Sequence, residues 1–245
     1  MLVEMHSHLL YGVDDGAQTY DEMTALLRQA AENRISHIVC TSHITPGYKR
    51  FPAEDYLAHF AEGQRWCQEN NPDMQLHIGS EIFYTEHTAR LLNDGTVPSL
   101  GQTMAVLVEF HPTIKEKEIF DAAENLGRNG YRIVIAHVER YENLNRMERI
   151  RQLRDDLQCM IQMNSRSVLN SRKGLLGRHL ERKLLDEGLV DFVSSDAHSA
   201  VSRPICLKQA HRFLMDHYDS RYADELCGEN YIRFIGVDND MEVLL

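Results

Sequence analysis

Residues 132–141 read RIVIAHVERY. Ile133 to Ala136 form an unbroken apolar run that ends at His137, with Arg140 three positions further on. A run this short, continuous and rich in β-branched residues fits a strand buried on both faces, as in a parallel sheet. Six further runs share its character, at 1–5, 37–41, 74–79, 104–110, 159–163 and 190–195. Between them the apolar residues recur at helical spacing, with helices predicted near 20–33, 53–69, 115–128, 144–157, 175–187 and 203–218. The first helix opens on a capping-box pattern, Thr19 with Glu22 three residues later. One more helix and an irregular end are predicted in the tail. Seven strands alternating with helices imply a β/α barrel or an open doubly wound sheet. No linker, low-complexity segment or fixed-period repeat divides residues 1–245, so a single domain is expected.

Composition narrows the function. The formal net charge is -11, which disfavours nucleic acid as the main partner because phosphate-backbone binding needs basic surface. No stretch approaches the roughly 20 apolar residues of a membrane span. The N-terminus lacks the basic-then-apolar layout of a signal peptide, and a cytoplasmic location is expected. The five cysteines form no CxxC pair and fit reduced thiols.

The ends of the apolar runs carry the chemistry. His6 and His8 close the first, His43 follows the second, Glu81 ends the third, Glu109 the fourth and His137 the fifth. Asp196 and His198 end the seventh. In a parallel barrel such ends share one face, where active sites are built. Residues two apart on a strand point the same way, so His6 with His8, and Asp196 with His198, could each grip one ion. Imidazole with carboxylate suits zinc, manganese or iron rather than calcium. One such motif alone is ordinary surface or core; the recurrence at six of seven run ends is what indicates a metal site.

The segments MHSHLLYGVDDG (5–16), TSHITPGY (41–48), GSEIFY (79–84), LVEF (107–110), IAHVERY (135–141), QMNSRSVLNSRKG (162–174) and SSDAHSAVSRP (194–204) resemble the PHP (polymerase and histidinol phosphatase) family. More narrowly they resemble its bacterial protein-tyrosine phosphatases of capsular and exopolysaccharide operons. The likeness spans residues 1–212 and thins beyond. It implies a distorted seven-stranded (β/α)7 TIM-like barrel with its site at the C-terminal strand ends, holding three divalent metals. Manganese is the foremost candidate, with zinc, iron or magnesium as alternatives. The first ion would take His6, His8, Glu81 and Asp196. Glu81 would bridge to a second, held also by Glu109 and His137, and a third would take Asp15, His43 and His198. Asp14 reads as a neighbour supporting the ligands or, taken alone, as a turn residue beside Gly16, and its loss should cost less than that of Asp15. Arg140 and Arg203 match phosphate-holding arginines, guanidinium forks suiting a phosphate dianion. Ile44 and Thr45 depart from many relatives at the rim, which bears on specificity.

The resemblance implies a protein-tyrosine phosphatase acting on the Tyr-rich tail of a bacterial tyrosine kinase, without membrane insertion and with homo-oligomerisation left open. Two other readings stand beside it: a PHP phosphatase for a sugar phosphate or histidinol phosphate, and a metal-holding binding module without turnover. A thiol mechanism is disfavoured. Cys206 and Arg212 have the spacing of cysteine phosphatases, but CLKQAHR has no glycine and a helical pattern, so it cannot cradle an anion. His111 lies near the site in EFHP and reads as a loop residue or a substrate contact. The remaining histidines read as solvated or packed. Tyr11, Tyr48 and Tyr141 lie beside motifs, where they could equally wall a pocket or pack.

Overall fold

The structure is a computed structural model and describes residues 1–172 and 179–235. The expected irregular end of the tail, from 236 onward, and the start of the helix expected at 175 lie outside them.

Nine strands occur among the described residues: β1 (Leu2–Ser7), β2 (Ile35–Cys40), β3 (His43–Ile44), β4 (Gln75–Ile78), β5 (Glu81–Phe83), β6 (Ala105–Glu109), β7 (Arg132–Ile135), β8 (Met160–Asn164) and β9 (Phe192–Ser194). The helices are α1 (Tyr20–Glu32), α2 (Ala53–Asn70), α3 (Thr88–Asn93), α4 (Glu116–Arg128), α5 (Met147–Asp155), α6 (Ser165–Asn170), α7 (His179–Asp186), α8 (Leu207–His217), α9 (Ser220–Asp224) and α10 (Asn230–Ile235). A π-helical turn, Glu225–Glu229, joins the last two. Thr19 caps α1 as its pattern predicts, but Glu22 reaches the Gln18 N–H (2.6 Å), one residue earlier than a capping box requires.

All ladders are parallel, in a three-stranded sheet of order β1-β2-β4 and a six-stranded sheet of order β3-β5-β6-β7-β8-β9. Nine strands thus stand among the described residues where the sequence shows seven runs. The second and third runs form β2 and β4, and a break past each run divides it from a further short strand, β3 and β5. A phenol accounts for the division. Tyr56, from α2, lies with its hydroxyl 2.9 Å from the carbonyl oxygens of both Cys40 and Gly79, and accepts from the Gly79 N–H at 3.1 Å. It occupies backbone groups at the point where the ladder stops, and pairing resumes three residues later between His43 and Glu81. A parallel bridge between Ser7 and Ala197, and a bond from the Asp196 N–H to His6 O (2.9 Å), tie the far end of the large sheet back to β1.

Alternation along the strands sorts the core. Ala105 and Leu107 of β6, Val134 of β7, and Val3 and Met5 of β1 join one apolar cluster with Tyr231 and Phe234 of α10. Val106, Val108, Ile133 and Ile135 join a second, packed under helices α1 to α8. Both strand faces are thus buried, the cause of the unbroken apolar runs. Gly228 fixes where the first cluster is plugged: a Cβ there would lie 2.3 Å from Met1 O, at the opposite end of β1 from His6. Among the described residues no helix is long and apolar enough to cross a membrane.

Candidate metal centre

The residues singled out at the run ends converge. His6 and His8 are fully buried, and their Nε2 atoms lie 3.0 and 3.1 Å from Glu81 Oε2. The same nitrogens lie 3.5 and 3.4 Å from Asp196 Oδ1. His43 Nδ1 is 3.2 Å from Glu81 Oε2 and 3.0 Å from Glu109 Oε1, while its Nε2 is 3.5 Å from Asp15 Oδ1. His198 Nε2 lies 3.4 Å from that Asp15 oxygen. His137 Nε2 donates to Glu81 Oε1 at 2.7 Å and is 3.7 Å from Glu109. Three compact ligand groups result: His6–His8–Glu81–Asp196, His8–Asp15–His43–His198 and His43–Glu81–Glu109. The first has the membership the resemblance implied. The others differ in that His8 joins the Asp15 group, and His43 rather than His137 sits tightly with Glu81 and Glu109.

Several features suit this cluster to cations. His6 Nδ1 faces the Gln162 side-chain oxygen at 3.3 Å, His8 Nδ1 faces Asp14 Oδ2 at 2.7 Å, and His198 Nδ1 faces Asp196 O at 3.0 Å. A proton on each Nδ1 leaves each Nε2 as a lone-pair donor, the tautomer that binds metal. Two such lone pairs then face each other across 3.4 Å, between His6 and His8. Glu81 Oε2 is buried among three imidazole nitrogens yet makes no hydrogen bond of sound geometry, and His198 Nε2 is likewise unpartnered. Burial opposes charge on His8, but Asp14, Asp196 and Glu81 outweigh it and hold the imidazole pKa well above its usual value. Burial would raise the Glu81 carboxyl, but His6, His137 and His8 overcome it and hold it well below the carboxylate range. The carboxylates therefore favour positive charge here, and a divalent ion meets that demand with neutral ligands. His198 is already biased toward neutrality, lowered to about 4 by burial and by His8.

Of its two sequence readings, Asp14 follows the supporting one and does more than shape a turn. One oxygen does accept the Gly16 N–H (2.9 Å), as in a turn. The other holds both His8 Nδ1 and the His43 N–H (2.8 Å). Its side chain is 3% exposed, against 66% for Asp15. Gly16 is required by contact: a Cβ there would lie 2.2 Å from His8 O.

The sixth run, which lacks a ligand, supplies the next layer. Gln162 of β8 accepts the His137 N–H (2.6 Å), faces His6 Nδ1, and donates to Asn164 Oδ1 (2.9 Å). Asn164 in turn donates to Asp196 Oδ2 (3.0 Å). Their positions, i and i+2 on one strand, were the available sequence signal. Arg140 and Arg203 both donate to that same Asp196 oxygen, at 2.6 and 2.7 Å. With Oδ2 so occupied, Oδ1 is the one directed at His6 and His8. Each guanidinium keeps other N–H donors and is part-exposed, at 42% and 37%. His137 and Asp196 have φ of 31° and 53°, a left-handed backbone costing about 1–2 kcal/mol apiece that surrounding contacts must hold.

Of the tyrosines near motifs, Tyr48 is exposed and lines a cleft with Ile44, while Tyr11 and Tyr141 pack. Tyr141 is buried, packs on Phe110 and His137, and accepts the Phe110 N–H. Tyr11 stacks on His59 and donates to Glu62; Tyr48 donates to Glu86. Cys206 lies at the N-terminal border of α8, where burial pushes its thiol up to about 11, opposite to the need of a nucleophilic thiolate. All five cysteines are free.

Residues 2–236 match the model of the family described as Capsular polysaccharide synthesis, CpsB/CapC. The chain is 31% identical over 234 residues to the tyrosine-protein phosphatase CpsB of Streptococcus pneumoniae, covering 94% of this chain and 96% of that protein. It is 29% identical over 221 residues to the tyrosine-protein phosphatase YwqE of Bacillus subtilis, covering 85% and 82%. Its fold matches a solved structure from a study of YwqE and CpsB, described as unique metal-dependent tyrosine phosphatases, with a TM-score of 0.80 at 23% identity over 94% and 93% of the two chains. A metal-ready cup of histidines and carboxylates on parallel strand ends, in a sequence matched almost end to end, makes this chain a member of the CpsB/CapC family.

Proposed function

We propose that this protein is a metal-dependent protein-tyrosine phosphatase whose substrate is the phosphotyrosine tail of a tyrosine kinase in capsular or exopolysaccharide synthesis. The observation that carries the reading is Glu81, a buried carboxylate converged upon by four imidazoles and flanked by Glu109 and Asp196. The names of the CpsB and YwqE relatives support the phosphotyrosine substrate and the capsule context. We assign His6, His8, Glu81 and Asp196 to one ion, Glu81, Glu109 and His137 to a second, and Asp15, His43 and His198 to a third, with His8 and His43 near enough to be shared. Manganese is the metal proposed. We further read the two sheets as one distorted seven-run barrel, residues 1–245 as one domain, and the free thiols as fitting the cytoplasm.

Bound divalent ions lower the pKa of water and polarise phosphoryl oxygens. The chain's own residues do the rest. Arg140 and Arg203 hold the phosphate by the N–H donors not engaged with Asp196, and stabilise the charge of in-line displacement. Asp196, tied on one oxygen by those arginines and Asn164, links phosphate binding to the metal cluster. The leaving phenoxide, with a tyrosine pKa of about 10, needs little protonation.

Turnover of a phosphotyrosine peptide, measured with manganese against a phosphoserine peptide and small phosphate esters, tests this. The phosphotyrosine peptide is expected to be the best substrate. Faster hydrolysis of a sugar phosphate or histidinol phosphate overturns the substrate, and hydrolysis of none overturns the enzyme.

A further inference from the structure

Beyond the carboxylates, the C-terminal ends of β5 and β6 lead to two more ring-bearing residues. On β5, Phe83 follows Glu81 by two residues, the period that returns a side chain to the same face. Just past the end of the neighbouring strand His111 follows Glu109 by two, and Phe83 pairs with Glu109 in the ladder. Phe83 thus shares the strand face of Glu81, and both residues lie where the chain leaves the carboxylate-bearing strand ends. Together with Tyr84, Phe110, Ile114 and Lys115 they line a cleft of about 330 Å³. Its aromatic pair, Tyr84 and Phe110, lies with ring centroids 5.9 Å apart, and Phe110 is fixed from behind by Tyr141. The His111 imidazole is held by Thr113, through its hydroxyl at 2.9 Å and its N–H at 3.3 Å. Accepting that N–H places the ring proton on Nε2. The cleft is thus walled by preset rings, carries Lys115 and Glu118 in its lining, and includes the residues two beyond Glu81 and Glu109 in the chain.

We propose that this cleft is the subsite for the aromatic leaving group of the phosphoester, with Phe83 and His111 as its specificity-determining walls. The proposal rests on the phosphotyrosine reading above and adds where the ring goes. A phosphate held at Arg140 and Arg203 and the metal cluster must project its ester oxygen out of the cup, and ring-on-ring contact there rewards an aryl group over an alkyl one. An aliphatic phosphate gains nothing from those walls, so the cleft discriminates by the leaving group, not by the phosphate.

The experiment compares kcat/KM for a phosphotyrosine peptide and a phosphoserine peptide in the manganese-loaded wild type, Phe83→Leu and His111→Ala. Phe83→Leu keeps the apolar volume and removes the ring plane; His111 is exposed, so its truncation leaves the core alone. Each variant is expected to lower the phosphotyrosine-to-phosphoserine ratio by about tenfold, mostly through KM. A second readout is binding: phenylphosphonate should inhibit the wild type more tightly than methylphosphonate, and the variants should lose most of that gap. A wild type that prefers phosphotyrosine, with the preference and the phosphonate gap intact in both variants, overturns the cleft and leaves the phosphatase reading standing. A wild type without activity on phosphotyrosine overturns both.

Discussion

The two ends of the same strands could hardly differ more. Toward the N-terminal end Val3, Ala105 and Phe192 meet Tyr231 and Phe234 in an apolar cluster. At the C-terminal end, one residue past Met5 and one past Ala136, His6 and His137 enter a buried cluster of charge. The apolar end stabilises by burial that needs no partner. The charged end must have every group oriented, because an unpaired buried charge costs several kcal/mol. Stability and chemistry are thus assigned to opposite ends of one set of strands, and substitutions should separate them.

The sharpest break is at Glu81, the hub of the cup. Glu81→Ala should reduce phosphatase turnover by about 10³-fold or more and lower the bound metal measured by mass spectrometry. Full metal content in that variant would sink the ligand assignment. At the other end, Phe234→Ala removes a buried ring beneath the Arg132 guanidinium (4.6 Å) and should cost about 3–5 kcal/mol in urea unfolding, with turnover per folded molecule retained. A large loss of turnover without a stability change would erase the division between the ends.

Asp14 sharpens the comparison within the cup. Because it orients His8 and holds the His43 N–H, Asp14→Ala should weaken metal affinity about 10–100-fold, no less than Asp15→Ala. Titration with manganese decides between the two aspartates, and a negligible effect at Asp14 would restore it to a turn residue.

The smallest expected effect lies away from both ends. His77 of β4 is held at about 4 by burial and by His37, whose Nδ1 is 2.9 Å from His77 Nε2. Its folded-state pKa is below the unfolded value of about 6.5, so its stabilising contribution is present above that pH and is lost as pH falls toward 4. The loss should approach about 2–3 kcal/mol. His77→Phe should flatten unfolding free energy between pH 6.5 and 4, while an unaltered slope would locate the acid sensitivity elsewhere.

Much of this was legible in the chain because each signal was local. Buried parallel strands write themselves as unbroken apolar runs, and a polar residue ending six of them is a pattern periodicity alone exposes. The short strands β3 and β5 were hidden because the break before them is set by the Tyr56 hydroxyl, which comes from a helix and meets the backbone at Cys40 and Gly79. Gln162 and Asn164 read as ordinary strand polarity until β8 is set beside β7 and β9.

By itself the sequence determined which residues are chemically able to hold metal, on which strand ends they fall, and that both faces of those strands are covered. Those properties depend on residue type and on a period of two. Tertiary structure alone decided that Asp14 is buried and Asp15 exposed, that His43 is shared between groups, that both arginines close on one oxygen of Asp196, and that Phe83 and His111 line one cleft. Each of these is a distance between residues far apart in sequence or a difference in solvent access, and neither is written in a local pattern.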